Sequence, residues 1–149
     1  MRRKQTFTLA AANLNGHAAA VTGAAWAIST LSAGDGIGHH VTIKNNTATD
    51  HSAKTVTLTG LDASGNAITE VMAAPGVSAT VTSTKAYASL LTAVPSATIG
   101  ADTFGIGWAA TGNTPWVPLD ISIVPVSVAV AEDVQLRDAG LTVHHSPQF

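Results

Sequence analysis

The stretch Val56-Thr57-Leu58-Thr59-Gly60-Leu61-Asp62-Ala63-Ser64-Gly65-Asn66-Ala67-Ile68-Thr69-Glu70 decides the fold. Val56 and Leu58 alternate with Thr55, Thr57 and Thr59, the period-two pattern of a half-buried strand. The polar run from Asp62 to Asn66 interrupts the alternation where a tight hairpin needs it. Gly65 or Asn66 supplies the positive φ of such a bend, and Asp62 and Ser64 supply local hydrogen bonds. Asp62, Ser64 and Asn66 also resemble the opening of a calcium loop, but the later bidentate Glu of such loops is missing. The stretch therefore reads as strand, turn, strand. Val56, Leu58, Ile68 and Val71 are expected to seat the hairpin on a core.

Outward from this hairpin, the same alternation recurs in Val41/Ile43, Val77/Ala79/Val81, Phe104/Ile106/Trp108 and Ile121/Ile123. The phase slips at Ile123–Val124, beside Pro125, which predicts a bulge. Val134 with Leu136, and Leu141 with Val143, predict a last pair of short strands. Gly34-Asp35-Gly36, Asn45-Asn46, Pro75-Gly76, Pro95 with Gly100 and Asp102, and the loop from Asn113 to Pro118 punctuate the runs. Strands every 8–15 residues without intervening helices predict an all-β fold, an antiparallel β-sandwich of immunoglobulin-like or jelly-roll type. Helical signals are thin. Residues 16–31 are Ala-rich enough for a short helix, although Ala25-Trp26-Ala27-Ile28 also fits a strand, and Tyr87–Val94 suits at most one helical turn. Residues 1–24 are read as an extended N-terminal arm and residues 25–149 as the sandwich domain.

Charged residues make up 11% of the 149-residue chain, against about 25% in an average globular protein. Threonine, serine, alanine and glycine fill the difference, so the surface is neutral and weakly defended against self-association. The net charge of −2 gives no field for nucleic acid. No apolar run reaches the roughly 20 residues of a membrane helix. The first residues are basic, but Thr6, Thr8, Asn13 and Asn15 interrupt the segment too early for a secretion signal. Arg2, Arg3 and Lys4 form a solvated terminus or a short basic arm for an acidic partner surface.

No cysteine is present, so thiolate chemistry is excluded. The histidines are His17, His39, His40, His51, His144 and His145. Neighbours on a strand point to opposite faces, so neither adjacent pair chelates a metal by itself. Glu70 and Glu132 show no pairing that singles out a glycosidase. There is no G-x-S-x-G elbow, and the glycines of Gly34-Asp35-Gly36-Ile37-Gly38 precede a strand instead of opening a helix. No catalytic, cofactor or metal residue is assigned, and no enzyme is expected. Trp108 is read as core through its shared face with Phe104 and Ile106. Trp116, between Pro115 and Val117, is a plug or an interface anchor.

The order His39-His40-Val41-Thr42-Ile43, then residues 55–70, then Ala79-Thr80-Val81-Thr82-Ser83-Thr84-Lys85-Ala86-Tyr87, then Phe104-Gly105-Ile106-Gly107-Trp108 resembles a group of small structural proteins of tailed bacteriophages. Pro115-Trp116-Val117-Pro118-Leu119-Asp120-Ile121-Ser122-Ile123 is similar to the strand that follows in them. The resemblance implies a non-enzymatic virion component, assembled in the host cytoplasm. Its role would be that of a head decoration or cement protein, or of a neck-ring protein. The implied partners are copies of itself and other virion proteins, major capsid or neck and tail proteins among them. Arg2, Arg3, Lys4, Phe7, Leu9, Tyr87, Leu90, Leu91 and Trp116 are the expected interface residues. Ala86–Leu91 is more aliphatic than such proteins lead one to expect and is read as a partner-facing strip. The alternative is a carbohydrate- or receptor-binding sandwich, which needs exposed aromatic rings.

Overall fold

A computed structural model describes residues 8–114 and, further on, the backbone of two short strands at 135–138 and 141–144. The chain divides into two compact units, Met1–Val117 and Pro118–Phe149. Among the described residues there is no helix. The first unit holds seven strands: β1 (Asn13–Val21), β2 (Gly38–Asn45), β3 (Thr55–Leu61), β4 (Ala67–Ala73), β5 (Thr80–Tyr87), β6 (Ser89–Pro95) and β7 (Phe104–Asn113). They form two antiparallel sheets, β1-β7-β2-β5 and β4-β3-β6, packed as a β-sandwich. In the second unit β8 (Gln135–Asp138) and β9 (Leu141–His144) pair antiparallel with Leu136 opposite Val143, as the alternation of that segment predicts. The bulge expected at Ile123–Val124 lies outside the described residues.

The core sits between the sheets and follows the period-two pattern. Val41 and Ile43 of β2 and Phe104 and Ile106 of β7 meet Val56 and Leu58 of β3 and Leu90 and Ala93 of β6, all essentially inaccessible to water. Burying such a side chain contributes about 1.5–3 kcal/mol each, before the entropy of ordering is counted. The hairpin β3–β4 is fully in register, from Thr55 opposite Ala73 to Leu61 opposite Ala67. Its phase corrects one expectation. Ile68 packs against the core, but Val71 is 62% exposed on the other face. Residues three apart on a strand cannot share a face, so Glu70 and Met72 take the inward phase instead.

The N-terminal boundary also differs from the expected arm. Asn13–Val21 is a strand of the sandwich, paired with β7 through Ala18 opposite Ile106 and Val21 opposite Phe104. Small, Ala-rich residues hide the period-two signal there. The segment Gly23–Ile37 then straps the side of the sandwich between β1 and β6. The His17 carbonyl accepts from the Ser29 and Thr30 amides and the Ser29 hydroxyl, while the Leu90 amide donates to Leu31 O. Trp26 lies inside this strap, edge-on to Phe104 at 5.4 Å. No helix forms over 16–31, and Ser89–Pro95 is a strand rather than a helical turn. Val77 belongs to a turn beside Ser78 (φ 48°) and is exposed; β5 starts three residues later than the alternation suggests.

In the four-stranded sheet, β1 runs irregularly along β7. Asn13 opposes Trp108 and Ala18 opposes Ile106, so β1 carries a wide bulge. The bulged segment lies so close to β7 that a β-carbon on Gly105 or Gly107 would overlap Asn15 or the backbone of Asn13 and Leu14. The two glycines of Phe104-Gly105-Ile106-Gly107-Trp108 are therefore sites of backbone approach. Trp108 caps this arrangement: it is buried against Gly16, and its indole N–H donates to Ala11 O at 3.0 Å.

Candidate functional site

The Asp62–Asn66 turn shows no free ligand set. Asp62 Oδ1 accepts the amides of Ser64 (2.8 Å) and Asn66 (2.9 Å), and Oδ2 accepts the Asn66 side-chain amide. The Asp62 amide donates to Asn66 O, and Gly65 takes φ +83°. The bonds from Asn66 hold the Asp62 carboxyl below its ordinary range. Both Asp62 carboxylate oxygens thus serve the bend. The double substitution Asp62→Ala with Asn66→Ala is expected to lower Tm by only about 1–3 °C in a circular-dichroism melt. A much larger drop, or loss of a bound ion on substitution, would contradict the turn reading.

Histidines and carboxylates come together at two places that the sequence did not disclose. Near the start of β2, buried His39 directs Nε2 at Asp35 Oδ2 (2.7 Å) and Nδ1 at Ala109 O (2.9 Å). Both neighbours are acceptors, Asp35 on one side of the ring and a backbone carbonyl on the other. Asp35 also accepts the amides of Ala10 (2.8 Å) and Ile37 (3.0 Å), shaped by positive φ at Gly34 and Gly36. Burial pushes the Asp35 carboxyl up, but the Ala10 and Ile37 amides and the His39 ring outweigh it and hold the group below its usual range. His17 packs edge-on to Trp108 at 5.1 Å and donates Nδ1–H to Thr30 O. Burial pushes its ring down, against the pull of that carbonyl, and His39 lowers it further.

Beyond the far end of β2, buried His51 donates Nε2–H to Asp102 Oδ2 (2.8 Å) and accepts Lys54 Nζ at Nδ1 (2.9 Å). Lys54 also donates to Thr98 O, and the His51 ring stands edge-on to Phe104. The bond from His51 comes first among those that hold the Asp102 carboxyl low. Both His–Asp pairs brace β7 at its ends, and in each the histidine has both ring nitrogens engaged by protein groups. His40 lies on the opposite face from His39, with Nδ1 on Ser83 O. Among the described residues no three His, Asp, Glu or Cys side chains converge on a metal position.

The expected interface residues separate. Tyr87 and Leu90, 2% and 0% exposed, belong to the core; they fill the gap between the sheets rather than a partner-facing strip. The Tyr87 hydroxyl is pushed up to about 12, by burial first and then by the Glu70 charge. Leu9 and Leu91 are open to water. Arg2, Arg3, Lys4, Phe7 and Trp116 lie outside the described residues.

Turned away from the core is the outer face of β4-β3-β6. Thr57 lies opposite Val71 on β4 and Val94 on β6. The next row is Thr69, Thr59 and Thr92, with the Thr59 and Thr92 hydroxyls bonded to each other. Leu91 sits in the bulge between Leu90 and Thr92 and is exposed. The remaining outward positions of these strands carry Thr, Ala, Ser and Leu, so no ionisable side chain stands on the face. Lys85 reaches its β4 rim only to donate to Thr69 O. Comparison with protein-family models, curated proteins and solved structures found no match for this chain.

Proposed function

We propose that the protein is a non-enzymatic structural component of a bacteriophage virion, a head decoration or cement protein or a neck-ring protein. It packs in a symmetric array against copies of itself and against major capsid or neck and tail proteins. The observation that carries this reading is the uncharged outer face of β4-β3-β6 on a sandwich whose two sides are closed within the chain, by the Ser29–Leu31 strap and by Glu70 bonded across to β5. Those bonds occupy part of each edge, which favours contacts through faces over strand addition. Each contact is small, and repetition in an array raises effective concentration and avidity. The order of motifs from His39 to Trp108 supports the same reading.

The carbohydrate- or receptor-binding alternative calls for rings open to solvent. Trp26, Tyr87, Phe104 and Trp108, the described aromatic residues, are all buried. The two His–Asp pairs, whose ring nitrogens are all engaged by protein groups, lend no support to a catalytic reading. The test is quantitative mass spectrometry of purified particles of the phage that encodes the chain. Many copies per particle are expected; particles that lack the protein would end the proposal.

A further inference from the structure

We infer that the outer face of the β4-β3-β6 sheet is a self-association surface, and that its partner is the same face of a second copy of this chain. The inference rests on the array-forming reading above and names the face and its occupant. Val71, Leu91 and Val94 are three of the seven large apolar side chains most open to water among the described residues, and all three lie on this face. A face without charge disfavours a charged partner: a Lys or Asp brought onto it loses hydration and finds no opposite charge. The partner must be neutral too. Threonine narrows the choice, because its hydroxyl both donates and accepts. A ladder of threonines is therefore complementary to itself, as a two-fold contact requires. The Thr59–Thr92 bond already shows hydroxyls of this face pairing.

Size sets the strength. Three strands about 4.8 Å apart, with seven residues rising about 3.3 Å each, cover roughly 14 by 23 Å. Two such faces together bury on the order of 650 Å², about half of the smallest stable, specific interfaces. The pairing is accordingly weak in dilute solution and fills at the local concentrations of an array.

Sedimentation equilibrium of the full chain, from about 10 µM to about 1 mM, tests this. The average mass is expected to climb from 15.0 kDa towards twice that value. Thr57→Lys puts two like charges face to face and is expected to weaken association about tenfold or more while leaving the circular-dichroism spectrum unchanged. The chain has no cysteine, so a single introduced thiol reports its own surroundings. With a short bismaleimide at high concentration, Thr57→Cys is expected to crosslink into dimers and Thr80→Cys, on β5 of the other sheet, is not. A mass that stays monomeric, equal association of Thr57→Lys and wild type, or equal crosslinking of both thiols overturns the inference. So does a Thr57→Cys thiol shielded from maleimide in the dilute monomer, which would place another segment of the chain on the face. Any of these, with the protein abundant in particles, leaves the virion reading standing and assigns the face a different occupant. Thr57-dependent dimers of a protein absent from particles would do the reverse.

Discussion

Gly107→Ala is expected to destabilise the protein by about 3 kcal/mol or more, the upper end of overpacking costs. The new methyl would overlap the Asn13 carbonyl and the Leu14 backbone, and backbone cannot turn aside as a side-chain end can. Gly105→Ala provides the internal comparison, because the atom it meets first is the Asn15 side-chain oxygen, which is free to rotate. The expected order of cost is Gly107→Ala well above Gly105→Ala, measured by urea unfolding. The damage should be local as well as global. In Gly107→Ala the Ala10 and Ala11 hydrogen bonds to Asp35 and Trp108 are expected to loosen, seen as faster amide exchange and proteolysis around residues 10–15. A cost under about 1 kcal/mol would mean that the β1 bulge shifts freely, contrary to the packing described.

Glu70→Gln is expected to lower Tm by roughly 5–10 °C at neutral pH, and the loss should fade in acid. Three residues of β5, Ser83 to Lys85, lie against Val41 alone in β2, between the pairs His40–Ala86 and Thr42–Thr82. The bulge turns the amides of Thr84 and Lys85 out of the ladder. Ser83 repairs one side, accepting Val41 N–H and donating to Lys85 O. Glu70, from the opposite sheet, accepts the rest: Thr84 N (2.8 Å) and Oγ1 (3.0 Å) on one oxygen, Lys85 N (2.9 Å) on the other. Glutamine has one acceptor oxygen and cannot take all three. Burial pushes the Glu70 carboxyl up, but the two amides, the Thr84 hydroxyl and the Lys85 charge outweigh it and leave it below the usual carboxylate range. A carboxyl held low in the folded state contributes stability above its unfolded pKa of about 4.3 and loses it as pH falls through the folded value. The Tm gap between wild type and Glu70→Gln should therefore narrow from about pH 5 towards pH 3. A gap that is independent of pH would assign the effect to packing and not to the charge.

Period-two alternation made the inner positions of β2, β3 and β7 legible, because Val41, Ile43, Val56, Leu58, Phe104 and Ile106 each carry their burial in their spacing. The hairpin turn was legible through Gly65 and the Asx chemistry of Asp62. Other features depend on what crosses the strand from elsewhere. Gly105 and Gly107 look like mere gaps in an alternating strand until the segment at Asn13–Asn15 is laid across them. Glu70 looked like one of two isolated carboxylates, and its role exists only through a bulge in a strand fourteen residues on. Asp35 and His39 stand four residues apart at the start of β2, but their pairing depends on the Ala10 amide and the Ala109 carbonyl, which arrive from distant segments. The strip from Ala86 to Leu91 was read as one surface, yet it turns the corner between β5 and β6. Tyr87 and Leu90 therefore point into the core while Leu91 points out.

The pairing of β7 with β1 and β2 has a consequence for the order in which the protein is built. Ala18 waits for Ile106, and Ile43 for the same residue, so the larger sheet stays open until the chain has been made past Asn113. The β3–β4 hairpin needs only its own turn, and β6 follows within the same stretch. The smaller sheet and the β2–β5 pair are thus free to form first on the ribosome, with Val56, Leu58 and Leu90 still lacking Phe104 and Ile106. Distant pairings of this kind slow folding and leave apolar surface uncovered in the meantime. A nascent chain that stalls before Phe104 carries a finished lid over a box with half its floor missing, and in that interval a chaperone or rapid synthesis matters.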